Sequence, residues 1–241
     1  MTTREGSLLM KRGYDRFNSN RLDEALDAYE QVIALEPERA TAWERRSMVL
    51  WRMGRLDEAL QSCQRAIELA PTMKDGWSRL AGLFAELKRY EEALAAYDRW
   101  LELEADVWIY RSKAELLQKL GRYEEALAAL EKALEGQSYD MVSIHLQKAK
   151  VLGEMGLEER ALAAFNRAIM LEPSNSRLWE IKGEFLRARG RTTEAEQAFK
   201  KAREIYEQTW GKYEKYFSDD YDGEFEEEEE EDEEDEEDEE F

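Results

Sequence analysis

The helical alternation of apolar and polar positions is clearest after residue 200. Ala202, Ile205, Tyr206, Thr209, Trp210, Tyr213, Tyr216 and Phe217 recur at three- and four-residue spacing, while Lys200, Lys201, Arg203, Lys212 and Lys215 fall between them. That spacing predicts an amphipathic helix with one buried face, and Gly211 marks a possible kink. The same four-residue step pairs a small with a larger residue at five places upstream and once more at 195–199: Ala25 and Tyr29, Ala59 and Cys63, Ala93 and Tyr97, Ala126 and Leu130, Ala161 and Phe165, Ala195 and Phe199. Each pair lies on one side of a helix.

These pairs are copies of a longer unit. Arg21-Leu-Asp-Glu-Ala-Leu26 returns unchanged as Arg55–Leu60, then as Arg89-Tyr-Glu-Glu-Ala-Leu94 and Arg122–Leu127, and more weakly at Leu157–Leu162 and Arg191–Glu196. The alanines are separated by 34, 34, 33, 35 and 34 residues, and Trp43, Trp77 and Trp179 and Pro37, Pro71 and Pro173 keep the same register. Gly54, Gly121, Gly156 and Gly190 stand where the first helix of a unit must end in a left-handed residue. Asp57, Glu91, Glu124 and Glu158 follow at the start of the second helix, where the helix dipole favours an anion. The prolines sit just past the second helix, which they cannot continue.

The pattern resembles the tetratricopeptide repeat, a helix-turn-helix unit of 34 residues. The aromatic at position four, the small residue at eight, Gly at fifteen, Ala at twenty and Pro at thirty-two all match. Six units cover residues 6–205, near 6–39, 40–73, 74–106, 107–141, 142–175 and 176–205. The resemblance implies an all-α, right-handed α-solenoid whose first helices line a concave groove. Residues 206–217 are expected to form a capping helix over the last open face. Two junctions are irregular: between units three and four the proline is missing, the period shortens and Trp100 replaces a small residue, with Trp108 following; Gly136–Asp140 also lacks proline. Trp100 is expected to fill a gap there, with an aromatic docking spot as the alternative.

Composition changes the picture at one end. The net charge of −21 is concentrated between Asp219 and Glu240, which hold 19 acidic residues and no basic one. The remainder is nearly neutral. Residues 218–241 are expected to be a disordered acidic tail, since a run such as Glu226–Glu240 has no apolar surface to bury. A nearly neutral body beside a polyanion argues against direct nucleic-acid binding, which needs a basic stripe. No apolar run is long enough to span a membrane, and the first residues lack the apolar core of a secretory signal, so a cytoplasmic location is expected.

Chemistry is sparse. His145 and Cys63, the single His and the single Cys, fall in different units, and both occupy packing positions of the repeat. No phosphate-binding glycine loop or metal-ligand cluster occurs. No enzyme activity, cofactor or metal is expected.

The resemblance implies that a partner lies along the first helices, against positions two, five, six, nine, twelve and thirteen. Transferred here, these give Met10, Lys11, Tyr14 and Phe17 in unit one, Arg45, Met48, Trp51 and Arg52 in unit two, and Arg79 and Arg111 further along. Over six units they carry nine bases and seven acids, too small an excess for a basic groove. Met10, Tyr14, Phe17, Met48 and Trp51 would form an apolar patch rimmed by Lys11, Arg45 and Arg52, suited to a peptide or helix of a partner protein. Phe17 and Trp51 have an alternative, packing between adjacent first helices. The Lys-then-Asn pair at positions five and nine by which some members clamp a chaperone carboxylate is absent from every unit. Position seven is basic in five units (Arg12, Arg46, Lys113, Lys148 and Lys182), which is read as a solubilising row. The expected function is a protein-interaction scaffold whose tail modulates binding or solubility. The alternative is a chaperone-like buffer that captures basic proteins on the tail.

Overall fold

The computed structural model describes residues 3–136 and 140–209. Within them twelve α-helices follow in order, without a strand: α1 (Arg4–Asn18), α2 (Leu22–Leu35), α3 (Ala40–Arg52), α4 (Leu56–Leu69), α5 (Lys74–Glu86), α6 (Tyr90–Leu103), α7 (Val107–Lys119), α8 (Tyr123–Glu135), α9 (Met141–Glu154), α10 (Glu158–Leu171), α11 (Ser176–Arg187) and α12 (Thr192–Thr209). They form two compact units, Met1–Leu171 and Glu172–Phe241. In the first, five hairpins stack as an α-solenoid, because each second helix also packs on the first helix of the next hairpin, α2 on α3, α4 on α5, α6 on α7 and α8 on α9. The second unit holds the sixth hairpin, α11 against α12. α12 runs through residues 205 and 206 unbroken, so the described start of the expected cap is the end of this helix. The remainder of that cap and the acidic tail lie outside the described residues.

Close approach within a hairpin comes from matched side-chain sizes. Ala25, Ala59, Ala93, Ala126, Ala161 and Ala195 are all buried. The residue four further on sits over the small position eight of the first helix. A Cβ on Gly13 would lie 2.7 Å from the Tyr29 ring, and one on Gly183 would lie 2.7 Å from that of Phe199. In the second hairpin, Cys63 lies beside Ser47 and donates its Sγ–H to the Gly76 carbonyl at 3.3 Å. In these three hairpins Tyr29 and Phe199 face glycine and the smaller Cys63 faces serine, so side-chain volumes complement one another across the hairpin.

One turn joins the two helices of every hairpin. Gly54 has φ of +75°, its N–H donates to the Trp51 carbonyl at 2.9 Å, and the next N–H, of Arg55, donates to the Leu50 carbonyl at 2.9 Å. The five-residue-back bond recurs at Arg21, Arg89, Arg122, Leu157 and Arg191. Where a second helix opens with Arg, its guanidinium reaches the Glu three residues on, as in Arg55 to Glu58 and Arg122 to Glu125, each at 2.6 Å. Two turns lack the glycine: Asn20 and Lys88 hold the left-handed conformation at φ of 57° and 59°. Asn tolerates it, whereas Lys is strained there.

The basic row at position seven has a role beyond solubility. Arg46 bonds Glu30 of the preceding second helix at 2.9 Å and Ser62 of its own second helix at 2.6 Å. Lys113 pairs with Asp98 in the same way, and Lys148 with Glu131 at 3.1 Å. Arg46 thus pins the second helices of consecutive hairpins together, while Lys113 and Lys148 tie the preceding second helix to their own first helix, all three half-buried.

At the third-to-fourth junction Trp100 is 8% exposed, as expected for a gap-filling residue, with Lys74 Nζ 5.8 Å from its ring centroid. Trp108 stands 67% exposed. This junction, α6 on α7, is the sparsest of the four in the first unit.

The start of α1 is held by the loop after α2. The Glu36 carboxylate accepts from Thr3 N–H and Thr3 Oγ1–H at 2.7 Å each, and Thr3 Oγ1 in turn accepts from Gly6 N–H at 2.9 Å. These bonds hold the Glu36 carboxyl below its usual range.

Two predictions follow from this packing. Lys88→Gly relieves the strained turn and raises the urea midpoint, a gain of roughly 0.5–1 kcal/mol after the added unfolded-state entropy of glycine is deducted. Because the folded-state pKa of Glu36 is depressed, its contribution is complete above the unfolded value and fades as pH falls through the folded one. The first amides of α1 should therefore lose hydrogen-exchange protection below about pH 4.5, after correction for intrinsic rates, and Glu36→Gln should show the loss already at pH 7.

Candidate functional site

Neighbouring first helices of the first unit touch, α3 with α5 and α7 with α9. Side chains bridge them in a regular register. A residue at position twelve of one first helix meets position thirteen of the next. The Arg52 guanidinium lies 4.7 Å from the Phe17 ring centroid, Trp51 Nε1–H donates to Glu86 Oε2 at 2.7 Å, and Gln118 Nε2–H donates to Glu154 Oε1 at 2.8 Å. The Trp51 indole also lies on Gly82, where a Cβ would come within 2.6 Å of its ring. Phe17 and Trp51 are therefore largely engaged in joining first helices, and both are half-buried.

Most of the transferred bases are also engaged. Glu44, only 4% exposed, accepts from Arg79 at 2.9 and 2.6 Å through one oxygen, while Arg45 lies 3.2 Å from the other. Arg111 pairs with Asp140 and lies 5.3 Å from the Trp108 ring centroid. Lys119 pairs with Glu115 at 2.8 Å, and in the second unit Arg177 pairs with Glu180 at 2.8 Å. Sequence reading named Arg45, Arg79 and Arg111 without the carboxylates they serve. The missed signal is a complementary pair one residue longer than the repeat, such as Glu44 with Arg79 or Trp51 with Glu86.

What remains available is gathered at the first two hairpins. Tyr14 is 52% exposed, Met10 and Met48 are half-buried, and Lys11 is exposed. Among the described residues no carboxylate pairs with Lys11, and Arg52 has only the Asn20 amide oxygen, at 2.8 Å, and the Phe17 ring. Tyr29 connects the two helices beneath this surface. Its phenol has no hydrogen-bond partner among the described residues, and burial pushes its pKa up to about 12, with Arg45 and Tyr14 close enough to act on it. Met10, Lys11 and Tyr14 stand on α1, and Met48 and Arg52 on α3, the two helices being linked by the Arg52 contacts to Phe17 and Asn20, whereas Arg79 and Arg111 belong to ion pairs further along.

The groups that could support chemistry are dispersed. Cys63 is fully buried with its thiol pushed up to about 12 by desolvation, and His145, half-buried on α9, is pushed down by burial and by Lys148 and Arg167. The described residues contain no cluster of His, Cys, Asp or Glu able to hold a metal ion, and no helix long and apolar enough to cross a membrane.

Arg79→Met would leave the buried Glu44 with Arg45 alone, at a cost of about 2–3 kcal/mol. The double variant Glu44→Met with Arg79→Met should recover most of it, as measured by urea unfolding of the three proteins.

Comparison with known proteins agrees with the helical register. None of the curated proteins is a significant sequence match. Among solved structures the chain is similar to YrrB, a TPR protein with an unusual peptide-binding site, at 19% identity and a TM-score of 0.59 over 75% of this chain and 93% of that one. It is also similar to the MamA protein, at 19% identity, a TM-score of 0.52 and coverage of 87% and 96%. For MamA from Desulfovibrio magneticus RS-1 the identity is 16% and the TM-score 0.64, over 72% and 98%. Models of the tetratricopeptide repeat match residues 10–74 and 146–208, 50–116 and 109–135. The chain belongs to the tetratricopeptide repeat family.

Proposed function

We propose that this protein is an interaction scaffold that holds a peptide or helical segment of a partner protein against its first two hairpins. The observation that carries the reading is the surface around Tyr14. It joins an exposed aromatic, two adaptable methionines and two cations, Lys11 and Arg52, that have no carboxylate partner among the described residues, on neighbouring first helices. Aromatics, Met and Arg are the side chains most enriched in interface cores. Further along, Arg79, Arg111, Lys119 and Arg177 are paired with their own acids, so a partner gains less from acidic residues at those four. The preferred segment carries apolar anchors with a modest acidic component. YrrB, of the same fold, is described by its peptide-binding site, which supports a peptide as the ligand class. Capture of basic proteins by residues 218–241 is the second reading; it rests on composition alone and gains nothing from the helical hairpins.

Peptide display against the full-length chain tests the proposal. The enriched sequences should share apolar or aromatic anchors, and Tyr14→Ala should weaken the best of them about tenfold, the cost of an interface anchor. Arg177→Ala should leave binding unchanged. No enriched family, or binding indifferent to Tyr14→Ala, would refute it. Enrichment of purely basic peptides lost above 0.3 M salt would favour the tail.

A further inference from the structure

We infer that the outer stripe of α1 is a self-association surface on which a second copy of this chain docks, α1 against α1 in antiparallel register about Leu8. In hairpins two to five, positions three, seven and ten of each first helix face the preceding second helix. A Cβ on Gly76, at position three of α5, would lie 3.1 Å from the Ile67 side chain of α4. Positions three and ten are buried, as are Ala42 and Val49 of α3 and Ile144 and Val151 of α9. Position seven carries a base where the facing helix offers an acid, Arg46 to Glu30 and Lys148 to Glu131. Gln64 stands one repeat after Glu30, and the position seven that follows it is Leu80. On α1 the same three positions are Leu8, Arg12 and Asp15, and here all are exposed, Leu8 at 62%. Glu5, one turn before Leu8 and also exposed, extends the stripe. None of Glu5, Arg12 and Asp15 belongs to an ion pair among the described residues.

The stripe is complementary to itself. Along α1 it runs acid, apolar, base, acid, so a parallel copy would set like charges side by side. A two-fold axis through Leu8 sets leucine on leucine and Glu5 of each copy beside Arg12 of the other. Arg4, which flanks the stripe on the side of Asp15, is brought toward Asp15 of the other copy by the same rotation. An axis midway between Leu8 and Arg12 puts Glu5 against Asp15 and leucine against arginine. One between Arg12 and Asp15 pairs those two but leaves Leu8 opposite Ser19. The register about Leu8 is the one that satisfies both the charges and the apolar side chain. Met10 and Tyr14 fall on another side of α1, so a dimer built this way presents two copies of the surface around Tyr14, and a partner with two binding segments gains avidity. One pair of short helices buries less than the about 1,200 Å² of a stable interface, and two chains of net charge −21 repel each other. The dimer is therefore weak, with a Kd on the order of 100 µM.

Sedimentation equilibrium of the full-length chain reads this without any other partner. At 0.15 M salt the screening length of about 8 Å damps the net repulsion while leaving contacting pairs in force. The weight-average mass should rise from 28.3 kDa toward twice that value between about 10 µM and about 1 mM. Arg12→Glu sets acid against acid and Glu5→Arg sets base against base, so each variant alone should associate about tenfold more weakly. Mixed in equal amounts, the two variants place acids against bases at both ends and should regain the parent's association. Circular dichroism checks each fold, and a misfolded variant would not regain association on mixing. Leu8→Asp should stay monomeric. Tyr14→Ala should associate like the parent, which separates this surface from the peptide site proposed above. A parent that stays monomeric at about 1 mM, single variants as associated as the parent, a mixture no heavier than its components, or loss of association in Tyr14→Ala overturns the inference.

Discussion

The contact on which the rest of the structure depends is the seat of each second helix on position eight of the first. Gly13 under Tyr29, Ser47 beside Cys63 and Gly183 under Phe199 are three solutions to one volume constraint. If that gap were too wide, the buried alanine row would lose its contacts; if too narrow, the backbones would be forced apart. Because every hairpin meets the constraint, successive hairpins present equivalent faces, and stacking can repeat. The interactions between hairpins, including the bases of position seven, then operate at a fixed spacing.

The same regularity explains what could be read from the chain beforehand. Helices and turns followed from the period, from four glycines at left-handed turns and from acids at helix starts, since each is a local requirement. The irregular junction before α7 was visible in its missing proline and in Trp100, and burial of that indole agrees with a packing role. The surface was less legible. Trp51 and Phe17 qualified both as anchors and as packing residues, and the choice depends on what stands one repeat and one residue further on. Trp51 meets Glu86 and Phe17 meets Arg52, contacts that appear only once adjacent first helices are laid side by side.

Charge was read correctly in sum and incompletely in detail. A small excess of bases over acids along the first helices says nothing about which are neutralised. Glu44, itself almost out of water, holds two guanidiniums, which engages two candidate ligand contacts in one ion-pair cluster. Lys11 and Arg52 differ from Arg45 and Arg79 in having no carboxylate within 4 Å among the described residues. The distinction between a binding cation and a structural one is thus a property of neighbours, not of residue type.

The third hairpin combines a strained lysine in its turn, a shortened connection to the fourth and the thinnest stacking contact of the first unit. In an array whose stability is the sum of intrinsic and nearest-neighbour terms, the joint with the smallest coupling is where cooperativity divides. Hairpins one to three and four to five would then behave as two blocks that melt and refold semi-independently, with α6 and α7 as the hinge line between them. A ligand seated on the first block would stabilise that block alone, leaving the second free to breathe at its own rate.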